Sequence, residues 1–200
     1  MNPRDRRMDA LVELVTLGIG QAAEVLNLML DSHIDLAAPE IRILSAEALR
    51  DTLDTGGDRL SAVTMRYRGE IEGVSELVFR SAEAGRLVDC ITGEEHCREE
   101  GLDALRADTL CEVGNIVINA IMGAVSNELH FHLTYSVPSY LEGEAGVLMA
   151  ETRLEEAQAV LLVKTIFRVQ TLRIEGEIAV FLSMDSLQRL QTALDGYGSV

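Results

Sequence analysis

A polar pattern occurs twice in this chain of 200 residues, with the same spacing both times. The second half reads Asp-x3-Glu-x2-Asn-x22-Pro, and the first half repeats this spacing ninety-nine residues earlier with one change. The second copy consists of Asp108, Glu112, Asn115 and Pro138, and the first copy consists of Asp9, Glu13, Thr16 and Pro39. Such a duplication predicts a fold built from two similar units.

The first three positions of each copy fall on one face of a predicted helix. At about 100° per residue, positions i, i+4 and i+7 lie within an arc of roughly 60°. In the second copy the flanking residues are apolar, among them Leu110, Val113 and Val117. A polar stripe on a helix is usually a solvated face. A solvated face needs no fixed distance to a proline, however, so the pattern favours a functional site.

The order of predicted elements repeats as well. In the first half we expect a helix at Met8–Leu30, strands near His33–Leu36 and Ile41–Leu44, a helix at Ala46–Leu53, strands at Leu60–Tyr67 and Ile71–Phe79, and a helix at Ala82–Ile91. In the second half we expect a helix at Leu102–Val125, strands near Glu128–Tyr135, Gly146–Thr152, Ala157–Arg168 and Leu172–Leu182, and a helix at Asp185–Leu194. Hairpins interrupted by helices predict an α+β fold rich in antiparallel strands. We expect one domain over residues 1–200, made of two repeats at about 8–97 and 102–196.

Composition narrows the classes of partner and location. The chain is 48% hydrophobic, which supports a substantial core, and its net charge of −16 opposes binding to nucleic acid and to anionic lipid. No uninterrupted apolar run approaches the ~20 residues of a membrane span, so we expect a cytoplasmic protein that is not bound to a membrane. The odd number of cysteines, Cys90, Cys97 and Cys111, argues against a disulfide framework.

Two short segments carry a family resemblance. With Glu112-Val113-Gly114-Asn115-Ile116 and Gly18-Ile19-Gly20-Gln21-Ala22-Ala23, the chain resembles the CheC/CheX/FliY family of bacterial chemotaxis phosphatases, from about residue 8 to residue 196. The resemblance implies pseudo-two-fold symmetry, with the two long motif helices on the outside of one body. It also implies a protein phosphatase that hydrolyses the aspartyl phosphate of a CheY-like response-regulator receiver. Because the chain carries its own pseudo-dimer, we expect a monomer.

The chemistry of the second copy fits this implied activity. A carboxamide cannot abstract a proton near neutral pH, but it can orient a water molecule, and phosphoryl transfer depends mainly on positioning. By the resemblance, Asn115 would align water and Glu112 would pair with the lysine of the receiver. Asp108 would orient its neighbours or cap the helix, and Pro138 would shape the adjacent loop. The chain would need no cofactor of its own, since Mg²⁺ is expected on the receiver.

The first copy departs from the pattern at its key position. Thr16 has a hydroxyl where the family has an amide, so we expect this site to be weak or silent. Asp9, Glu13 and Pro39 keep their spacing, and the two carboxylates either dock a receiver or are ordinary surface charges. Asn119 lies on the same face one turn after Asn115. We interpret it as a residue of helix packing or solvent contact, with a place at the periphery of the site as the alternative.

Other interpretations remain open at this point. A non-catalytic module that binds a receiver or the CheD deamidase is the main alternative, and a role in the flagellar switch is the next. His130 and His132 alternate on a predicted strand, and His96 adjoins Cys97, but neither pair supplies a third ligand at a sensible spacing. We therefore predict no metal site.

Overall fold

A computed structural model describes most of the chain. The described residues are 3–30, 34–37, 39–53, 59–93, 103–151, 159–169 and 172–197. The first half contains α1 (Pro3–Leu30), β1 (Ile34–Leu36), β2 (Glu40–Leu44), α2 (Ala46–Leu53), β3 (Leu60–Arg68), β4 (Gly73–Arg80) and α3 (Ser81–Thr92). The second half contains α4 (Asp103–Glu128), β5 (Thr134–Tyr135), β6 (Ser139–Gly143), α5 (Ala145–Glu151), β7 (Ala159–Val169), β8 (Leu172–Leu182) and α6 (Met184–Gly196). The two halves therefore follow one element order, and the predicted α+β class is confirmed. The exact bounds of the repeats and the single-domain assignment stay predictions.

The strands form one antiparallel sheet, in which the two short strands of each half pair with the long hairpin of the other half. The sheet order is β1-β7-β8-β4-β3-β5, with β2 also on β7 and β6 also on β3. Thus β1 and β2 of the first half pair with the second-half hairpin, and β5 and β6 pair with the first-half hairpin. The centre is the β4–β8 pair, which joins the halves from Gly73↔Leu182 to Phe79↔Gly176.

The core lies on both faces of the sheet, because strand side chains alternate between them. On one face α1, α3, α4 and α6 cover residues such as Val63 and Val163, and on the other face α2 and α5 cover residues such as Ala62 and Leu162.

The long helices α1 and α4 contact each other closely at Gly18. A Cβ atom at Gly18 would lie 2.5 Å from the Cα atom of Ile121, so no larger residue fits without moving a helix. Both helices are long and apolar enough to cross a membrane by length and composition alone. Core helices pass the same test, and here the two helices pack on each other and on the sheet.

Two predicted strands in the second half are wrong. The segment predicted near Glu128–Tyr135 is a strand only at its last two residues, because α4 continues to Glu128. The helix then ends with left-handed His130 (φ 58°), while Phe131 N–H donates to Ser126 O at 2.7 Å and His130 N–H donates to Asn127 O at 3.2 Å. This is the hydrogen-bond pattern of a Schellman cap, and it leaves His130 and His132 outside any strand.

The segment predicted as a strand near Gly146–Thr152 is helical up to Glu151, and Thr152 lies outside the described residues. The N–H groups of Val147 and Leu148 donate to Glu144 O at 3.0 and 3.1 Å and start α5. The strand in this region is β6, Ser139–Gly143, where no strand was predicted. His33, His96 and Cys97 also lie outside the described residues.

Candidate functional site

The polar stripe of the second copy lies on the solvent side of α4. Asp108 and Glu112 are exposed and Asn115 is half-buried, whereas Leu110 and Val113 are buried in the core. Helical periodicity thus separates the stripe from the packed face, as predicted.

A glycine brings this part of α4 against the sheet. A Cβ atom at Gly114 would lie 2.5 Å from Cγ1 of Val63 on β3, closer than real Cβ contacts come. Val63 pairs with Tyr140 of β6, two residues after Pro138. The close approach at Gly114 therefore sets the position of Asn115, its neighbour in the chain, relative to the edge of the sheet.

Pro138 lies in a bulge of that edge. Tyr135 pairs with Tyr67 and Ser139 pairs with Thr64, so the three residues 136–138 lie opposite the two residues 65–66. A proline has no N–H to donate, and a bulge in an edge strand tolerates it.

Pro39 of the first half lies at a similar place. It directly precedes β2, whose Glu40 pairs with Lys164 of β7, just as Pro138 directly precedes β6, whose Ser139 pairs with Thr64 of β3. In both copies, therefore, the proline of the motif stands at the start of a strand that pairs with the hairpin of the other half.

The amide of Asn115 has a partner one turn along the helix. Asn119 Nδ2 donates to Asn115 Oδ1 at 2.8 Å, and both side chains are half-buried. This bond uses one of the two lone pairs of Asn115 Oδ1. Among the described residues no other side-chain partner of Asn115 is seen, so its other lone pair and both N–H groups are left for a further partner.

The two carboxylates of the stripe, Asp108 and Glu112, have no oppositely charged partner among the described residues. Within the described part of the chain, neither Asp108 nor Glu112 makes an ion pair or hydrogen bond through its side chain. Burial first, and then the charges of Asp108 and Glu112, raise the pKa of the Cys111 thiol between them. A raised pKa keeps that thiol protonated near neutral pH and makes it a poor nucleophile.

The first copy places Asp9, Glu13 and Thr16 on the exposed side of α1. Thr16 Oγ1 donates to Val12 O of the same helix at 2.6 Å, which uses the only proton of its hydroxyl. The counterpart of Asn119 is Gly20, and a Cβ atom there would meet nothing within 4 Å. The first face therefore lacks both members of the asparagine pair.

The far end of α6 lies against this first face. Arg7 of α1 forms a two-pronged ion pair with Asp195, with both contacts at 2.6 Å. Burial, and then the charges of Glu13 and Glu128, raise the pKa of Tyr197. The first face is thus bordered by residues of the C-terminal helix.

Metal ligands do not converge in the part of the chain that the structure describes. No group of three or more His, Cys, Asp and Glu side chains there could hold a metal ion. His132 instead contacts Glu70, with Nδ1 3.4 Å from Oε1.

The spacing of the motif predicted the stripe but not two features of its surroundings. The hydrogen bond from Asn119 to Asn115 was not predicted, although a spacing of four residues is the signal for a side-chain pair on a helix. The role of Gly114 depends on Val63 of a distant strand, which no local pattern reveals.

Comparison with known proteins gives matches over nearly the whole chain. No family model matches. Over 198 residues the chain is 24% identical to the CheY-P phosphatase CheC of Bacillus subtilis (strain 168), covering 96% of this chain and 95% of that protein. FliY of Thermotoga maritima superimposes with a TM-score of 0.76 at 17% identity, covering 98% of both chains. A CheX-CheY-BeF3-Mg²⁺ complex of Borrelia burgdorferi gives a TM-score of 0.52 at 17% identity, covering 91% of this chain and 98% of that one.

Proposed function

We propose that this chain, which belongs to the CheC/CheX/FliY family, is a phosphatase that hydrolyses the aspartyl phosphate of a CheY-like receiver domain. The observation that carries the proposal is the amide of Asn115. It is half-buried and lies three residues after Glu112, which has no side-chain partner among the described residues. The carbonyl oxygen of Asn115 accepts a hydrogen bond of 2.8 Å from Asn119.

The reaction needs little covalent help from the phosphatase. A water oxygen attacks the phosphorus in line with the acyl oxygen, the bond from phosphorus to that oxygen breaks, and the receiver aspartate leaves as a carboxylate. One proton of the water is lost to the phosphate or to solvent. Asn115 can accept a hydrogen bond from this water and donate another to the phosphoryl group, so it places the nucleophile without titrating. The Mg²⁺ ion belongs to the receiver substrate.

The surface around Asn115 suits a protein partner. Glu112 has no described partner and can pair with a lysine of the receiver. Leu105, which is 44% exposed, lies two turns earlier on the same stripe, and Val137, which is 85% exposed, directly precedes Pro138. These two side chains are apolar surface that a docked partner could cover.

A second candidate function is a non-catalytic module that binds a receiver or CheD. The face of α1 favours it, because Asp9 and Glu13 are exposed there without an amide beside them. This face could dock a partner but could not order water as Asn115 does.

The decisive experiment follows loss of label from a phosphorylated CheY-like receiver with Mg²⁺ present. We expect the wild-type protein to accelerate the loss and Asn115→Ala to abolish the acceleration while still binding the receiver. The fold should survive, since alanine is the better helix former. Asn127→Ala, which removes an exposed asparagine near the end of α4, is the matched control and should keep full activity. Binding without acceleration by the wild-type protein would establish the module instead.

A further inference from the structure

The asparagine pair on α4 has a specific geometry that the motif does not require. Asn119 Nδ2 lies 2.8 Å from Asn115 Oδ1, so the amide nitrogen of Asn119 is the donor and the carbonyl of Asn115 is the acceptor. A terminal amide has two orientations about χ2 that exchange oxygen and nitrogen. With Asn119 Nδ2 as the donor, the carbonyl of Asn115 faces Asn119.

We propose that Asn119 is a positioning residue that holds the amide of Asn115 in one orientation for water alignment. The inference rests on the proposed phosphatase function and adds a second residue to its machinery. With the bond in place, Asn115 presents its N–H groups and one lone pair in a fixed direction. A water molecule bound there needs no reorientation of the amide before attack.

The first half provides a natural comparison, because it lacks the pair altogether. Thr16 stands at the position of Asn115 and donates its hydroxyl proton to Val12 O, and Gly20 stands at the position of Asn119. A Cβ atom at Gly20 would meet nothing within 4 Å, so a side chain can begin there without a clash. If the pair is the functional unit, restoring one member should restore less than restoring both.

The first test separates orientation from binding in the native site. One net hydrogen bond corresponds to a factor of about 3 to 10, so Asn119→Ala should lower kcat by about that factor and leave KM unchanged. Asn119→Asp has the same size but cannot donate. Its carboxylate would accept from Asn115 Nδ2 and turn the amide around, so it should lose at least as much activity as the alanine variant. Asn119→Gln keeps an amide donor and should recover part of the rate.

A spectroscopic readout checks the same bond without activity. The side-chain amide signals of Asn119 should shift in Asn115→Ala, and those of Asn115 should shift in Asn119→Ala. Neither set should shift in the control Asn127→Ala.

The second test rebuilds the pair on α1. In an Asn115→Ala background, Thr16→Asn combined with Gly20→Asn should give at least threefold more phosphatase activity than Thr16→Asn alone, by the same hydrogen-bond factor. Equal activity of these two variants would show that the second asparagine adds nothing on α1 and would contradict the proposed role of the pair.

The inference and the proposed function fail in different ways. A wild-type protein that does not accelerate dephosphorylation would sink the function. If the wild type is active and both Asn119→Ala and Asn119→Asp are as fast as the wild type, the proposed function stands and the role of Asn119 is overturned. A fall in kcat that Asn119→Gln does not relieve, with an altered KM or altered folding, would also count against positioning.

Discussion

At the scale of single residues, the candidate site contains a pair of like charges that destabilises its own helix. Asp108 and Glu112 are four residues apart on α4, both exposed, and like charges at this spacing destabilise a helix by about 0.2–0.5 kcal/mol. Neither has a partner among the described residues. A cation supplied by a docked partner would relieve this repulsion, which agrees with the docking role proposed for Glu112.

We predict that Glu112→Ala weakens receiver engagement without weakening the fold. Loss of one desolvated charge pair at an interface costs about 2–5 kcal/mol of binding. The free energy of unfolding should stay equal or rise slightly, since the repulsion with Asp108 disappears. Titration of a receiver onto both proteins at two salt concentrations measures the effect, and added salt should weaken the wild-type complex. Glu24→Ala, which removes an exposed glutamate from α1, is the control; equal affinity of all three proteins would refute docking by Glu112.

At the scale of elements, the contact between α4 and β3 sets the position of the site. Gly114→Ala places a methyl group 2.5 Å from Cγ1 and 2.7 Å from Cβ of Val63, so the helix or the strand must move. We expect the free energy of unfolding to fall by about 1–3 kcal/mol, with phosphatase activity falling as well.

The same helix offers a control of opposite sign for this prediction. A Cβ atom at Gly123 would meet nothing within 4 Å. Gly123→Ala should therefore gain about 0.5–1 kcal/mol from helix propensity. Urea denaturation of both variants measures the contrast, and the packing argument is wrong if Gly114→Ala is also stabilised.

Some helices and strands could be predicted from local sequence, and others could not. The helix α2 is found at its predicted bounds, and β3 and β4 form the predicted hairpin, because alternation and turn residues are local signals. The segment 145–151 failed because a short apolar run does not distinguish helix from strand. The strand β6 was missed because its pairing with β3, which is distant in the sequence, makes it a strand. In the site, Asp108, Glu112 and Asn115 followed from spacing, whereas Gly114 required the tertiary contact with Val63.

At the scale of the whole molecule, the halves are interlocked. Each half has its edge strands on the hairpin of the other, and the central β4–β8 pairing crosses between them. Buried Tyr67 of β3 also donates its hydroxyl proton to Phe181 O of β8 at 2.8 Å. This exchange of edge strands could not be predicted from the repeated spacing alone, and the assignment of the chain to one domain stays a prediction.

We predict that neither half folds alone and that the full chain unfolds in one step. A protein of residues 1–93 would leave β1 and β2 without β7, and β3 and β4 without partners on their outer edges. Such unpaired edges and the apolar faces of α1 and β3 would be exposed to water, so circular dichroism should show little stable structure. In the full chain, hydrogen exchange should give the amides of the central strands β4 and β8 the same opening free energy, because these strands share one ladder. Two separate unfolding transitions, or a stably folded 1–93 protein, would show that the halves are independent units despite their exchanged strands.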